Sequence, residues 1–413
     1  ASHVLCDEVF ISGLPLARAF DERIRPMPGQ GAVVWALQPQ ADLQRLCETQ
    51  LRFFGQAPFA DYLFMVMATG NLYGGLEHQS CTSLITPRDD LPGVLEPAQP
   101  SAGYQRFLGL CSHEYFHAWL VKCIRPEPML QPDLEREVYL PLLWVFEGLT
   151  SYYDDLMLYR AGLISRQAYL RLLEEQITRH WQTPGHRVQS LAESGLDAWI
   201  KYYRPDENSP NATTSYYNHG ALAGLSLDLL LRRQGQSLDA LMHWLYAEAR
   251  QGRMVSQDRL LTRLTGWAGA AAETFWRDQV EGCQPLPLED QLQQFGVRLK
   301  TEHKGGTLGL KLSEAHGVIT VQQVLRDSPA ARAGVSAHDQ IIAVDGMRAT
   351  QTLLQKLNQA ATRPVCLQVF RRDELLALSL QPQEVRLPVA RLEVTDEAAL
   401  AGWLADGAGR TAP

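Results

Sequence analysis

His113-Glu114-Tyr115-Phe116-His117 is the stretch that most limits what this chain can be. It reads H-E-x-x-H. On a helix that spacing sets two imidazoles one turn apart on one face, where both can grip one Zn2+. The glutamate between them is then placed to take a proton from water activated at the metal. The surroundings are helical. Phe107, Leu110, Cys111, Phe116, Trp119, Leu120 and Cys123 recur at helical spacing from about 103 to 124. Arg125-Pro126 then supplies a stop, because proline cannot continue a helix. A second helical run follows, about 142 to 159, with Glu147 near its start and thirty residues after His117. A carboxylate from a following helix is the usual third ligand of a His2Glu zinc site. The candidate metal set is therefore His113, His117 and Glu147, with Glu114 as general base. A zinc histidine normally donates its other N–H to a carboxylate or carbonyl, and Asp154 is on the face of the second helix that suits this; a solvated helix acid is the other reading.

Other segments carry a resemblance. Trp144-Val145-Phe146-Glu147-Gly148-Leu149-Thr150 resembles the W-x-x-E-G-[FL]-[AT] segment of the gluzincin aminopeptidases. H-E-Y-F-H-A-W, Lys122, Arg125-Pro126 and E-G-L-T-S-Y-Y together are similar to the glycyl aminopeptidase family, zinc peptidases with a C-terminal PDZ domain. The resemblance implies an α+β chain: a thermolysin-like, mostly helical zinc peptidase domain, then a small β-rich PDZ-like domain. It implies removal of N-terminal glycine or alanine from peptides with a free N-terminus.

Gly74-Gly75-Leu76-Glu77-His78 resembles the G-A-M-E-N exopeptidase motif and follows an apolar run, Tyr62 to Met67, that reads as a buried strand. Glycines such as Gly74 and Gly75 let a peptide backbone come close, and a carboxylate such as Glu77 can pair with its α-ammonium. His78 stands where that motif has asparagine. Ser215-Tyr216-Tyr217-Asn218-His219-Gly220 resembles the Y-x-K-G segment that carries a catalytic tyrosine. Tyr217 takes that place, where a phenol O–H would face the oxyanion; Tyr216 is the neighbouring alternative, and His219 replaces the lysine. Two rival functions share these residues: a zinc endopeptidase in which Glu77 does something else, and a PDZ-based peptide-binding protein with a vestigial zinc site. The presence of Glu114 argues against the second.

Composition narrows the rest. The 413 residues are 46% hydrophobic, enough for two or three domains, and the net charge is −8. There is no basic run, which argues against nucleic acid as a partner. Seven scattered cysteines with no C-x-x-C pair argue against a disulfide framework or a cysteine zinc site. A reducing cytoplasm is the simpler expectation for location, with the periplasm or secretion as alternatives if a leader has been lost. No apolar run reaches the ~18 residues of a membrane span.

The expected organisation is a remnant of an N-terminal β-rich domain or lead-in at 1–40, a catalytic domain at 41–285, a PDZ-like domain at 298–385 and a tail at 386–413 with one helix, Glu397 to Leu404. Gln284-Pro285-Leu286-Pro287 marks the break, and short strands follow it. The loop Gly306-Thr307-Leu308-Gly309 would offer N–H groups to a peptide's C-terminal carboxylate, with the peptide added as a strand. A closed PDZ that only buttresses the catalytic domain is the alternative. The stretch 183–214, rich in turn residues, reads as a long loop beside the cleft with one short ordered piece around Leu191 to Tyr203, whose Trp199, Tyr202 and Tyr203 either line the cleft or anchor the loop to the core.

Overall fold

The computed structural model describes residues 8–12, 37–92, 100–131, 133, 135–306, 308–360, 363–381 and 386–405. The fold is α+β. A four-stranded sheet comes first, in the order β1 (Glu8–Ser12), β2 (Leu63–Thr69), β4 (Cys81–Pro87), β3 (Gly74–Glu77). β1, β2 and β4 run parallel, while β3 closes the edge antiparallel to β4. Residues 1–40 also read from the sequence as short strands and turns, Val9-Phe10-Ile11 and then Gly31 to Leu37; the first lies in β1, and the second falls outside the described residues, save Leu37, which opens a helix.

Helices stack out from the sheet: α1 (Leu37–Phe54) packs on α2 (Ala102–Phe116), which lies against β3 and β4; α3 (Leu149–Arg160) packs on α2, and α4 (Arg166–Trp181) and the helix Asn218–Arg232 pack on α3. In β2 and β4 every second residue is buried beneath these helices. Phe54 stacks on Trp119 at 4.7 Å and Phe116 on Tyr153 at 5.0 Å, so the face of α2 behind the H-E-x-x-H residues is locked into the core. No helix among the described residues is long and apolar enough to cross a membrane.

α2 differs from its expected length. The apolar period continues to residue 124, yet the helix ends at Phe116. The Leu120 carbonyl folds back to accept from His117 Nδ1 at 2.9 Å, and Val121 has φ +121°. Ala118, Trp119, Leu120 and Ile124 beyond His117 are buried all the same, in a tight turn rather than on a helix.

The second hydrophobic cluster belongs to a six-stranded sheet ordered β11 (Glu374–Leu380), β10 (Val365–Arg371), β8 (Gln340–Val344), β7 (Val318–Val324), β6 (Leu310–Ala315), with β9 (Met347–Arg348) paired to β8. Two further strands bracket this domain. β5 (Val297–Gly306) leads in, β12 (Arg386–Val394) leads out, and they pair with each other. Val297, Leu299 and Ala390 are buried in the larger core, and the Ala390 N–H donates to Thr178 Oγ1 of α4 at 2.9 Å. Residues 386–404, read from the sequence as a tail with one helix, are thus a strand and a helix, Glu397–Leu404, whose Trp403 is buried in that core. The PDZ-like sheet hangs from a two-stranded ribbon rooted in the helical domain.

Candidate functional site

α2 is started by Ser101, whose hydroxyl accepts from the Tyr104 N–H, and it delivers His113 and His117 to one face. Glu147 arrives from a single π-helical turn, Trp144–Gly148, ahead of α3. Such turns recur at functional sites because they re-aim a side chain. His113 Nε2, His117 Nε2 and Glu147 Oε2 lie 3.1–3.3 Å from one another. Tetrahedral Zn2+ with bonds of about 2.0–2.1 Å separates its ligands by about 3.3 Å, so the donor set fits that ion. Among the described residues this is the cluster of such side chains close enough to hold a metal.

The other ring nitrogens are fixed. Asp154 Oδ2 accepts from His113 Nδ1 at 3.2 Å, and the Leu120 carbonyl accepts from His117 Nδ1. Both Nε2 atoms are thereby left to the centre of the group. Burial raises the Glu147 pKa, but the charge of His117 and its hydrogen bonds to both rings outweigh this and leave its carboxyl well below the usual range.

Glu114 is buried, and its Oε2 has no hydrogen-bond partner among the described residues. An acceptor in that state is costly unless a ligand or water satisfies it. Burial raises its pKa, against the charges of His113 and His117. Gly75 makes room for it: a Cβ there would stand 2.2 Å from Glu114 Oε1. Nothing lies within 4 Å of a Cβ at Gly74.

Glu77 ends β3 and pairs with Lys122, Nζ to Oε1, at 3.1 Å. The sequence carried no signal for this contact, because Lys122 reaches Glu77 from the turn beyond His117. A β-branched residue at the φ of Val121 is a steric outlier, a strain of about 1–3 kcal/mol. His78 is exposed in the β3–β4 turn and donates through Nδ1 to the Leu76 carbonyl at 3.1 Å.

Tyr217 and Tyr216 part company at the start of the helix Asn218–Arg232. Tyr217 lines the cavity with the three metal-set residues, its ring 6.0 Å from that of His113. Tyr216 is fully buried in the core. Burial and the charge of Glu147 push the Tyr217 phenol well above its ordinary range, so it remains an O–H donor. Two glycines permit this placement. A Cβ on Gly148 would lie 2.5 Å from Gly220 Cα, so the turn bearing Glu147 and the helix behind Tyr217 touch backbone to backbone.

His113, Glu114, His117, Glu147, Glu77, Gly74, Gly75 and Tyr217 all line one cavity of about 460 Å3. It shares Tyr73, Ser151, Asp154, Tyr202 and Tyr217 with an adjoining cleft of about 980 Å3. Within the stretch 183–214 the ordered piece expected around Leu191 to Tyr203 is a short helix, Leu191–Leu196, and a π-helical turn, Ala198–Tyr202, with further short turns at Pro184–Arg187 and Ser209–Ala212; its Tyr202 is the aromatic that reaches the cavity, while Trp199 and Tyr203 are exposed. In the PDZ-like sheet, β6 is an edge strand. Ahead of it the Leu308 carbonyl accepts from the Ala330 N–H at 3.0 Å and that of Gly309 from Leu325 at 2.8 Å. Gly309 has φ +75° and sits against Ser328, so a side chain there is excluded. Gly306 closes β5, and Thr307 lies outside the described residues.

Residues 106–223 match the family model for M61 glycyl aminopeptidase, and residues 306–381 match that for the PDZ domain. No curated protein matches. The solved structure of an aminopeptidase N family protein from Idiomarina loihiensis is 36% identical, covers 90% of this chain and superposes with a TM-score of 0.84. The chain spans 66% of that relative's length. An M1 zinc metallopeptidase from Deinococcus radiodurans is 19% identical over 67% of this chain and 49% of its own, with a TM-score of 0.40, too distant to bear on this fold. The stretch matched to the peptidase model holds the metal set, the groups that orient it and both tyrosines, and the chain belongs to the M61 glycyl aminopeptidase family.

Proposed function

We propose that this chain is a zinc aminopeptidase that releases N-terminal residues, glycine and alanine preferred, from peptides. The observation that carries the reading is the convergence of the His113, His117 and Glu147 ligand atoms within 3.1–3.3 Å in a cavity that also holds Glu114 and Glu77. Zn2+ bound there would polarise the scissile carbonyl and lower the pKa of water. Glu114 takes the proton of the attacking water and passes it to the leaving amine. Tyr217 donates its O–H to the oxyanion. β3, an open sheet edge, pairs with the substrate backbone, and Glu77 meets the α-ammonium with the oxygen that Lys122 leaves free. The preference for N-terminal glycine follows the family's description, and that for alanine the resemblance of the sequence motifs. The edge strand β6 would take a peptide C-terminus by the same strand addition.

Removal of the Tyr217 hydroxyl tests the oxyanion role. Tyr217→Phe loses one donor and little volume, so the fold and zinc content should hold while kcat falls about 10²–10³-fold. Tyr216→Phe should stay near the parent value. The reverse pattern would move the role to Tyr216.

One observation favours a second reading. Lys122 already neutralises Glu77, as an endopeptidase with no need of an amine subsite would allow. Blocked substrates separate the two. A charge-assisted pair with the ammonium is worth roughly 1.5–3 kcal/mol, so N-acetyl-alanyl amides should be cleaved about 10–100-fold more slowly than free alanyl amides. Glu77→Ala should narrow that gap, with zinc content unchanged. Equal cleavage of blocked and free substrates by the unaltered protein would establish the endopeptidase.

A further inference from the structure

We infer that Lys122 is a positioning residue that holds Glu77 at a set distance from the metal group and thereby sets where a peptide's first residue is cut. The inference rests on the reading of Glu77 as the amine-binding group. Three observations support it. The first is the contact itself. Lys122 Nζ lies 3.1 Å from Glu77 Oε1, and Lys122 is the partner the structure gives this carboxylate. One oxygen is tethered, and the other is left for a substrate.

The second is the route by which Lys122 gets there. The Lys122 N–H donates to the His117 carbonyl at 3.1 Å, and the His117 ring donates to the Leu120 carbonyl at 2.9 Å. The Val121 N–H donates to the Ile124 carbonyl at 3.1 Å. A bracket of six residues therefore runs from a metal ligand to the partner of Glu77, with the ring and the backbone of that ligand both tied into it. The metal group and the amine subsite are joined by one short piece of chain.

The third is Val121, whose φ is +121°. A conformation this unfavourable for a β-branched residue persists where the surrounding structure over-determines it, and such sites gather at functional positions. Here the strained residue is the one that turns the chain from His117 toward Glu77. Glu77 also shares its cavity with the like-charged Glu114. An untethered carboxylate would swing away from Glu114, and a misplacement of about 1 Å at such a point can cost about 10²-fold in rate.

The test uses the zinc-loaded full chain and two chelating probes, alanine hydroxamate and N-acetyl-alanine hydroxamate. Each hydroxamate anchors on the metal, so the ratio of their calorimetric dissociation constants reports how well the free amine meets Glu77. The parent should favour the free amine at least about tenfold, one charge-assisted pair. Lys122→Met should cut that ratio to about threefold or less and lower kcat on alanyl amides about 10–100-fold, with zinc content unchanged. Lys122→Arg should restore both. A ratio that is unchanged or larger in Lys122→Met overturns the inference, as does a loss of zinc in that variant, which would make Lys122 a support of the metal group. A parent with no preference for the free amine would instead overturn the reading of Glu77, and this inference with it.

Discussion

Glu114→Gln is expected to keep its zinc and lose its turnover. Glutamine has the length and volume of glutamate, so it fits the space that Gly75 leaves beside the side chain. It removes no candidate ligand, because the group able to hold a metal is His113, His117 and Glu147. It does replace the basic carboxylate with a neutral amide, which cannot take a proton from water. General-base catalysis is typically worth about 10²–10⁴-fold, and kcat on alanyl amides should fall by that much. His113→Ala and Glu147→Ala should fail differently. Each takes one of three converging atoms, so zinc measured in the purified protein should drop well below one per chain, and excess zinc should recover part of the activity. A Glu114→Gln variant within threefold of the parent would require another base.

Gly148→Ala should damage the site without touching a single catalytic side chain. The added methyl would lie 2.5 Å from Gly220 Cα, 2.6 Å from its carbonyl carbon and 2.8 Å from the Tyr216 carbonyl oxygen. All three are backbone atoms, so no rotamer change relieves the clash. The turn Trp144–Gly148 and the helix Asn218–Arg232 must move apart. Overpacking of this kind costs about 1–3 kcal/mol, several degrees in Tm for a domain of this size. Glu147 is the residue before Gly148 and Tyr217 caps the displaced helix, so zinc affinity and kcat should fall together. Gly74→Ala is the control for stability, since its Cβ would meet nothing within 4 Å. Equal melting temperatures for Gly148→Ala and the parent would refute the backbone contact.

Much of the site could be read from local spacing. The imidazoles of His113 and His117 must share a face if their segment is helical, and a metal fixes what they can bind. Glu147 stands out because it opens the next helical run thirty residues after His117, whereas the close backbone approach at Gly148 appears only in the structure. The PDZ-like sheet announced itself through short strands and turn glycines, and residues 306–381 match the PDZ model.

The ends of elements were less accessible. Apolar period carried α2 on to residue 124, since Trp119, Leu120 and Ile124 are buried whether they lie on a helix or in a turn. Burial is what the period records, and burial does not report φ. The segment after β11 looked like a tail because a nine-residue strand has no amphipathic signature strong enough to name its partner; that partner, β5, lies some ninety residues earlier.

What the sequence by itself determined, then, is that the H-E-x-x-H residues ride on a helix, the candidate ligand set and the order of the two domains. Each depends on residues close together in the chain, where periodicity and side-chain chemistry are sufficient. The tertiary structure alone decided that Tyr217 faces the metal group while Tyr216 is buried, that Lys122 holds Glu77, and that the PDZ-like sheet is carried on a β5–β12 ribbon. Adjacent tyrosines are alike in every sequence pattern; they differ only because the helix Asn218–Arg232 meets Gly148 at one particular rotation. Lys122 and Glu77 find each other because a strained turn on one element and a sheet edge on another arrive at the same cavity. Contacts of that kind are set by how distant backbones pack, and no local period encodes them.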